Sequence, residues 1–345
     1  MSTRRDRILF TPNDKISHYT IIKLLGQGGY GDIYAVSDDT NGQIYAMKVE
    51  PNNAERQGLN FETNLMRRLQ DSNLFPHFQE FGETNTHNFL VMGLYGPSIS
   101  NTRRQLQQHH YTLSSALRIG LYMVRCIKDF HVHGFIHRDI KPGNFLLNPG
   151  SNNPLVLIDY GLSREFIDPS TGMPYPERAH CGFRGTSKYA SISAHENKDL
   201  SWKDDLISWM YSMIELIDGR LPWLSGRDFE RTHRMKLTIP ARTLFSSLPG
   251  EFIDIWRHLN YLRFNERPNY EQIEDLIIKS MAKNNISPSM PFDWEYLKPT
   301  VIREFSPLAV LPKASECGMS IHVPFSLHAA SDSPGTSQCG PCSIA

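Results

Sequence analysis

Long apolar runs are absent from this 345-residue chain, and no stretch comes near the about 18 residues that a membrane-spanning helix needs. The N-terminal residues include several arginines but no apolar block of the kind found in a secretory signal. Ser at the second position, in place of Gly, argues against N-myristoylation. Net charge is also absent, because 36 basic residues balance 36 acidic ones. A surface built as a whole for nucleic acid is therefore not indicated.

Cysteine is scarce, with five residues that form no regularly spaced disulfide framework. We therefore expect an intracellular chain with reduced thiols, located in the cytoplasm or nucleus. A monomer is also expected. Hydrophobic residues make up 40% of the sequence and aromatic residues 11%, which is enough for a sizeable packed core.

The composition changes once, near the C-terminus. Residues 306–345 contain sixteen Ser, Pro or Gly but only three charged residues, which is typical of a flexible tail. We predict an N-terminal extension over 1–18, a principal domain over 19–295 and a mostly flexible tail over 296–345. Within the principal domain, 19–95 would form an N-terminal lobe and 96–295 a C-terminal lobe.

The first hundred residues favour strands, and the following residues favour helices. YTIIKLLGQ, GDIYAVS, QIYAMKVE and NFLVMGL are short, rich in β-branched and aromatic residues, and bounded by Gly or Asn. Apolar residues recur at helical spacing over Ala54–Gln70, Leu113–His133 and Trp202–Ile217. The pattern predicts a β-rich lobe with one helix, followed by a helix-rich lobe.

A glycine-rich stretch separates the first two predicted strands. Its spacing matches a dinucleotide-binding fingerprint, but that fold needs a helix directly after the glycines, and here a strand follows. The stretch is typical instead of a hairpin whose backbone lies close over nucleotide phosphates. A plain hairpin turn is the alternative for the motif taken alone. The residues are Gly26, Gln27, Gly28, Gly29, Tyr30 and Gly31.

Two charged residues follow the glycines at informative positions. Lys48 stands 17 residues after Gly31 on the next predicted strand, where it can pair with phosphate oxygens. Glu62 stands fourteen residues later on the predicted helix, where it can hold the ammonium group in place. Either residue alone would be interpreted as a surface charge, but their order after the glycines indicates a nucleotide site.

The segment FIHRDIKPGNFLL carries the strongest signal. Asp139 can accept the proton of an attacking hydroxyl, and Lys141 can reach a transferring phosphate. Asn144, five residues after Asp139, and Asp159, in the later IDYGLS, suit metal ligation, with Gly161 permitting a sharp turn. Such hard oxygen donors favour Mg²⁺, which neutralises phosphate charge. The segment predicts phosphoryl transfer.

Taken together, these motifs resemble those of eukaryotic protein kinases, and the pair Lys141-Pro142 is similar to the serine/threonine type. GTSKYASIS, residues 185–193, stands where most kinases carry Ala-Pro-Glu, and it resembles the casein kinase I superfamily. GFRGT, GRLPW and PFDWE look most like the tau-tubulin kinase branch of that superfamily. The resemblance covers about residues 19–295.

This resemblance implies an α+β, bilobal protein-kinase-like fold, with a small antiparallel-sheet N-lobe carrying one helix and a larger, mainly helical C-lobe. It implies ATP and Mg²⁺ as cofactors and Ser or Thr hydroxyls of proteins as acceptors. Met92 would be the gatekeeper, and Gly93, Leu94 and Tyr95 would bind adenine through their backbone. Asp205 would be the buried carboxylate that braces the catalytic loop. Tyr160 replaces the usual Phe.

Substrate preference is the least determined expectation. Casein kinase I relatives favour acidic or pre-phosphorylated sites, which basic residues near the activation segment would bind. A scattered, solvated basic surface is the alternative. The candidate residues are Arg184, Lys188, Arg231, Arg234 and Lys236.

Three further alternatives remain at this stage. A pseudokinase, which docks partners without phosphoryl transfer, would be expected to lose Lys48, Asp139 or Asp159, and the sequence retains all of them. The histidines of HVHGFIH could suggest a metal site, but no adjacent Cys or carboxylate completes it. The terminal CSIA resembles a prenylation signal, which would attach a lipid at Cys342 and place the chain peripherally on a membrane; an incidental Cys is the alternative.

Overall fold

An antiparallel sheet forms the first lobe. The computed structural model describes residues 9–28, 31–54, 57–223 and 228–297, so Cys342 and the rest of the tail lie outside the described residues. Neighbouring strands pair in the order β1-β2-β3-β4-β6-β5. The strands are Lys15–Ile16 (β1), Tyr19–Gly28 (β2), Gly31–Asp38 (β3), Ile44–Pro51 (β4), Phe78–Glu83 (β5) and His87–Gly93 (β6).

Residue alternation gives this sheet its two faces. Tyr34 and Val36 of β3 and Met47 and Val49 of β4 are buried in one hydrophobic cluster on a single face. The intervening residues of β4 point to the opposite side, because successive side chains of a strand alternate. The four predicted strands are confirmed as β2, β3, β4 and β6, and the structure adds the short β1 and the edge strand β5.

One helix, α1 (Leu59–Arg68), packs against this sheet and is shorter than the predicted 54–70. Its start is set by Glu50 of β4, whose carboxylate accepts the backbone N–H groups of Gly58 at 2.9 Å and Leu59 at 3.3 Å. An acidic group at a helix N-terminus satisfies N–H groups that have no partner within the helix. A residue eight positions upstream therefore decides where α1 begins.

Helices dominate the second lobe, and the predicted bilobal α+β fold is confirmed. The predicted helices beginning at Leu113 and Trp202 are confirmed as α3 and α5. A side chain at Gly120 of α3 would lie 2.5 Å from the sulfur of Met213, so glycine lets α3 and α5 approach closely. The helices are Ile99–Gln105 (α2), Leu113–Val132 (α3), Ile192–His195 (α4), Trp202–Asp218 (α5), Phe229–Thr238 (α6), Ala241–Leu244 (α7), Glu251–Tyr261 (α8) and Tyr270–Lys283 (α9).

Two short antiparallel pairs lie beneath the first lobe and carry the loops of the site. Residues 137–144 and 158–163 form two loops, each of which connects a strand of one pair to a strand of the other. The pairs are Phe135–Ile136 (β7) with Arg164–Glu165 (β10), and Phe145–Leu147 (β8) with Leu155–Leu157 (β9).

Among the helices of the described part of the chain, none has both the length and the apolar character to cross a membrane. The limits predicted at residues 18 and 295 stay predictions.

Candidate active site

A cleft of about 1050 Å³ lies between the two lobes. The structure brings every described member of the predicted nucleotide and catalytic sets to this one cavity. Gly29 and Tyr30 lie outside the described residues. The set that lines the cleft is Gly26, Gln27, Gly28, Gly31, Lys48, Glu62, Met92, Leu94, Tyr95, Asp139, Lys141, Asn144 and Asp159.

Lys48 occupies the cleft side of β4, opposite the apolar cluster. Only 4% of its surface is exposed, and its Nζ donates to Glu62 Oε2 at 2.5 Å and lies 3.4 Å from Asp159 Oδ1. Burial alone would lower the pKa of Lys48, but the two carboxylates outweigh burial and hold this pKa above its usual value. The predicted Lys48–Glu62 pair is confirmed, and Lys48 presents a fixed positive charge at the back of the cleft.

The glycine-rich stretch is a hairpin between β2 and β3, as predicted. Gly31 has φ of 126°, and a Cβ at this position would lie 2.6 Å from the carbonyl oxygen of Val49. Glycine is therefore required here both by the backbone angle and by the close approach of β4. The described glycines leave the roof of the cleft without side chains at these positions, which allows a ligand to approach the backbone closely.

Strand β6 ends in a glycine for a reason that the sequence did not indicate. A Cβ at Gly93 would lie 3.1 Å from the ring of Tyr95, so the absent side chain makes room for that ring. The hydroxyl of Tyr95 in turn accepts the backbone N–H of His77 at 3.2 Å. Tyr95 therefore connects the chain after β6 to the segment before β5 and stabilises this end of the cleft.

Asp205, at the start of α5, braces the loop that carries Asp139. Its Oδ2 accepts the backbone N–H of His137 at 2.7 Å, and its Oδ1 accepts that of Arg138 at 2.8 Å. Burial would raise the pKa of Asp205, but hydrogen bonding from His131 and the loop lowers it overall. The predicted brace is confirmed, and it holds Arg138 in a left-handed backbone conformation with φ of 67°.

Asp139 sits at the centre of a polar network on the cleft floor. Its Oδ2 accepts from Lys141 Nζ at 2.6 Å, and its Oδ1 accepts from the hydroxyl of Thr186 at 2.7 Å. The Thr186 oxygen also accepts from Lys141 Nζ at 3.1 Å. Thr186 had no predicted role, although its place in the GFRGT motif was a signal for one. Both carboxylate oxygens are therefore oriented before any substrate enters.

Asn144 and Asp159 provide the predicted pair of oxygen donors. The amide nitrogen of Asn144 donates to the backbone carbonyl of Asp139 at 2.9 Å, which leaves its carboxamide oxygen as the group it can offer to a cation. Burial would raise the pKa of Asp159, but Lys48, His137 and Lys141 together outweigh burial, and the pKa is lowered. The left-handed backbone falls on Asp159, with φ of 69°, and the predicted turn includes Gly161.

Tyr160 is fully buried directly behind Asp159. Its ring stacks on Phe130 with centroids 5.4 Å apart, and its hydroxyl donates to the carbonyl of Leu157 at 2.7 Å. Its backbone N–H donates to Glu62 Oε1 at 3.3 Å. The tyrosine therefore keeps the packing of an aromatic residue and adds a buried hydrogen bond.

Two of the five predicted anion-binding residues, Lys188 and Lys236, are hydrogen-bonded to other parts of the protein. The prediction was wrong for these two. Lys188 Nζ donates to Glu215 at 2.6 Å, and Glu215 is a buried residue of α5. Lys236 is 4% exposed, and its Nζ donates to the backbone carbonyls of Ser187 at 2.8 Å and Ala190 at 2.7 Å. Hydrogen-bond partners that are distant in sequence hold both lysines away from the surface.

A different basic cluster surrounds the catalytic loop. Arg164 and Arg178 both pair with the single carboxylate of Asp199, at 2.7 Å and 2.8 Å. Burial first, and then the positive charge of these two residues and of Arg184, lowers the pKa of Arg138 to about 10. Arg138, Arg164, Arg178 and Arg184 thus lie close together, two of them paired with Asp199, and Arg184 lines the cleft.

The three histidines of HVHGFIH turn to separate partners. His131 Nε2 donates to Asp205 Oδ2 at 2.9 Å, and His133 Nε2 lies 2.8 Å from Asp71 Oδ1. His137 lies 3.0 Å from a backbone carbonyl just after β9. Within the described ranges, no group of three or more His, Cys, Asp or Glu side chains is arranged to hold a metal ion. The histidines act as structural hydrogen-bonding groups.

Comparisons with known proteins agree with this geometry. Residues 19–278 match the family model described as protein kinase domain. A protein of Dictyostelium discoideum, named "Probable serine/threonine-protein kinase", is 37% identical over 279 residues, which are 80% of this chain and 56% of that protein. The serine/threonine-protein kinase spe-6 of Caenorhabditis elegans is 30% identical over 287 residues, which are 80% of this chain and 75% of that protein.

The chain thus spans little more than half the length of the Dictyostelium relative. The family match begins at Tyr19 in β2 and ends at Ile278 in α9, so it includes the sheet, the cleft and most of the helices. Because this match extends over well more than half of the sequence, the chain belongs to the protein kinase family.

Proposed function

We propose that this chain is a serine/threonine protein kinase that transfers the γ-phosphate of Mg-ATP to Ser or Thr hydroxyls of proteins. One observation carries the proposal. The buried ion pair of Lys48 and Glu62 lies next to Asp159 on one side of the cleft, while Asp139 stands on the floor, oriented by Lys141 and Thr186. Phosphoryl transfer depends on this combination of positioned charge and positioned base.

The nucleotide would be held by three parts of the cleft. The glycine-rich hairpin, Gly26 to Gly31, would offer backbone N–H groups to the phosphates, and Lys48 would pair with phosphate oxygens. Met92, Leu94 and Tyr95 line the end of the cleft proposed for adenine. Glu62 would act indirectly, because it fixes the direction of the Lys48 ammonium.

The donor set at Asn144 and Asp159 fits Mg²⁺. Asp159 is a carboxylate with a lowered pKa, and Asn144 offers an amide oxygen, which are the hard ligands that this ion prefers. When bound, the ion would neutralise phosphate charge. The protein's own contribution is to hold both oxygens in place, Asn144 through its bond to the Asp139 carbonyl and Asp159 through Lys48.

Asp139 would orient the acceptor hydroxyl and receive its proton. One of its oxygens is turned by Thr186 and the other by Lys141, so the acceptor would meet a carboxylate with little freedom to rotate. Lys141 can move from Asp139 towards the transferring phosphate, since its side chain is only partly buried. Asp205 keeps this loop in place from below.

Substrate choice is proposed on the casein kinase I-like and tau-tubulin kinase-like motifs, together with the arginine cluster. The sequence supplies GTSKYASIS and GFRGT, and the cluster supplies Arg164 and Arg178 at Asp199, with Arg138 and Arg184 nearby. Arg184, which lines the cleft, is the member best placed to meet an acidic or phosphorylated side chain of a substrate. Monomeric state, intracellular location and lipid attachment at Cys342 stay predictions from the sequence.

A peptide with phosphoserine upstream of the acceptor is expected to give a kcat/KM about tenfold higher than its unphosphorylated form. The estimate follows from one charge-assisted hydrogen bond, which is worth about 1.5 kcal/mol. Arg184→Ala should remove most of this ratio, while Arg257→Ala, on α8 and outside the cleft, should keep it. Equal kcat/KM for the two peptides with the unaltered kinase would count against an anion site at Arg184.

The proposed function is tested by phosphate transfer from labelled ATP to casein and tubulin. We expect transfer that requires Mg²⁺ and is abolished by a chelator in excess, with label recovered as phosphoserine and phosphothreonine. Because Asn144 and Asp159 offer the ion two oxygen donors, activity should return when Mg²⁺ is restored. Nucleotide binding without any transfer, across several acceptors, would instead favour the pseudokinase alternative.

A further inference from the structure

A buried lysine with no role in the proposed chemistry lies against residues 187–190. Lys236 is on α6, and its Nζ donates to the carbonyl oxygens of Ser187 and Ala190 at 2.8 and 2.7 Å. The rings of Tyr211 and Trp223 lie 4.9 and 5.0 Å from this nitrogen. Burying a lysine is unfavourable, so the position needs an explanation beyond surface charge.

The hydrogen bonds of Lys236 do not depend on its charge. Burial lowers the pKa of Lys236 to about 6. A neutral amine still carries two hydrogens, and an ammonium carries three, so either form can serve both carbonyls. His195 Nε2 lies 3.2 Å from the same nitrogen and completes its polar surroundings.

Other side chains hold the same short segment. Trp223 Nε1 donates to the carbonyl of Lys188 at 2.8 Å, so three of the four carbonyls from 187 to 190 accept hydrogen bonds from distant residues. Glu215 accepts hydrogen bonds from two side chains of the same stretch, the ammonium of Lys188 at 2.6 Å and the hydroxyl of Tyr189. Both the backbone and the side chains of this stretch are therefore fixed from below.

This stretch is directly connected to the proposed catalytic base. The carbonyl of Thr186 accepts the backbone N–H groups of Tyr189 at 2.8 Å and Ala190 at 3.0 Å, which closes a turn over residues 186–190. The hydroxyl of Thr186 donates to Asp139 at 2.7 Å. A displacement of the turn would therefore move the group that orients Asp139.

We propose that Lys236 is a positioning residue for the protein substrate: it fixes the 186–190 turn, and through Thr186 it keeps Asp139 in register with the acceptor. The inference rests on the proposed role of Asp139. In this chain, which carries GTSKYASIS in place of Ala-Pro-Glu, a lysine of α6 would fix the segment. The inference also predicts that nucleotide binding, which uses the opposite side of the cleft, is independent of Lys236.

The test is Lys236→Met, which keeps an unbranched side chain but removes the donors. We expect kcat/KM for a peptide substrate to fall roughly 10- to 100-fold, because a displacement near 1 Å of a positioned group has effects of this size. The Kd for ATP should stay within about twofold of the unaltered kinase, since the Lys48 pair is untouched. Tyr211→Phe is the matched control, because it keeps the ring and removes a hydroxyl that has no hydrogen-bond partner among the described residues.

Hydrogen exchange provides a readout independent of catalysis. In Lys236→Met, the amides of Tyr189 and Ala190 should exchange faster, while amides in the middle of α3 should keep their protection. Trp223→Phe, which removes the bond to the Lys188 carbonyl and part of the ring that packs on Lys236, should change both readouts in the same direction by a smaller amount. This second variant decides the matter if Lys236→Met does not fold.

Two results would overturn the inference. One is peptide kinetics and exchange equal to those of the unaltered kinase in both variants. The other is a parallel loss of ATP affinity, with faster exchange throughout α3, which would make Lys236 a general stabilising residue. Absence of transfer by the unaltered kinase would be a failure of the proposed function instead, and the exchange measurement would then still decide whether Lys236 holds the turn.

Discussion

Asp139→Asn is expected to lower kcat for a protein substrate by about 10²–10⁴-fold, equivalent to about 3–5 kcal/mol of activation free energy. The asparagine oxygen can still accept from Thr186, so the loop should keep its shape. The amide nitrogen, however, would face Lys141 Nζ, where the carboxylate now accepts a bond at 2.6 Å. The variant therefore loses both the proton acceptor and the anchor of Lys141.

Single-turnover transfer of labelled phosphate to a peptide is the appropriate measurement, because it separates chemistry from product release. Binding of a fluorescent ATP analogue should be unchanged, since Lys48 and Asp159 are not altered. Asp254→Asn is the matched control: Asp254 is exposed on α8 and pairs with Arg257 outside the cleft. Undiminished turnover by Asp139→Asn would remove the base from this mechanism.

Asp159→Asn is expected to reduce Mg²⁺-dependent transfer by about 10³-fold or more, since charge stabilisation by a metal ion contributes several kcal/mol. Asparagine is the replacement of choice, because the residue has φ of 69°, and Asn is among the few residues that tolerate that region. The backbone should therefore stay in place while the negative charge is lost. The buried pair of Lys48 and Glu62 remains.

The measurement is initial rate against Mg²⁺ concentration for both proteins. ATP affinity in the presence of chelator serves as the control and should be similar in both, because it reports the metal-free nucleotide. A variant with the rate and the Mg²⁺ dependence of the unaltered kinase would show that Asp159 is not a metal ligand.

Much of the candidate site could be predicted because its signals are local. Asp139, Lys141 and Asn144 lie within six residues of one another, so their spacing alone brings them together on one loop. Lys48 was predictable for a different reason: strand alternation opposes it to Met47 and Val49, which face the apolar cluster. The pairing with Glu62 needed only the order of strand and helix.

The features that the sequence analysis missed depend on partners distant in the chain. Lys188 and Lys236 were interpreted as surface cations. Nothing near them in sequence indicated that Lys188 would donate to Glu215, or that Lys236 would donate to the carbonyls of residues 187 and 190. The start of α1 was placed too early because its N-terminal acceptor, Glu50, is on β4. Helical periodicity gives the face of a helix but not a cap supplied by another element.

The hydroxyl of Tyr160 has a consequence for inhibitor selectivity. A compound that extends from the cleft into the space behind Lys48 must displace the Tyr160 ring, which is fully buried against Phe130. Displacement here also breaks the hydrogen bond to the Leu157 carbonyl, at about 1 kcal/mol, so such a compound binds about fivefold more weakly than to a site with phenylalanine. Compounds that leave the ring in place incur no such loss, and they are the class to which this cleft is best suited.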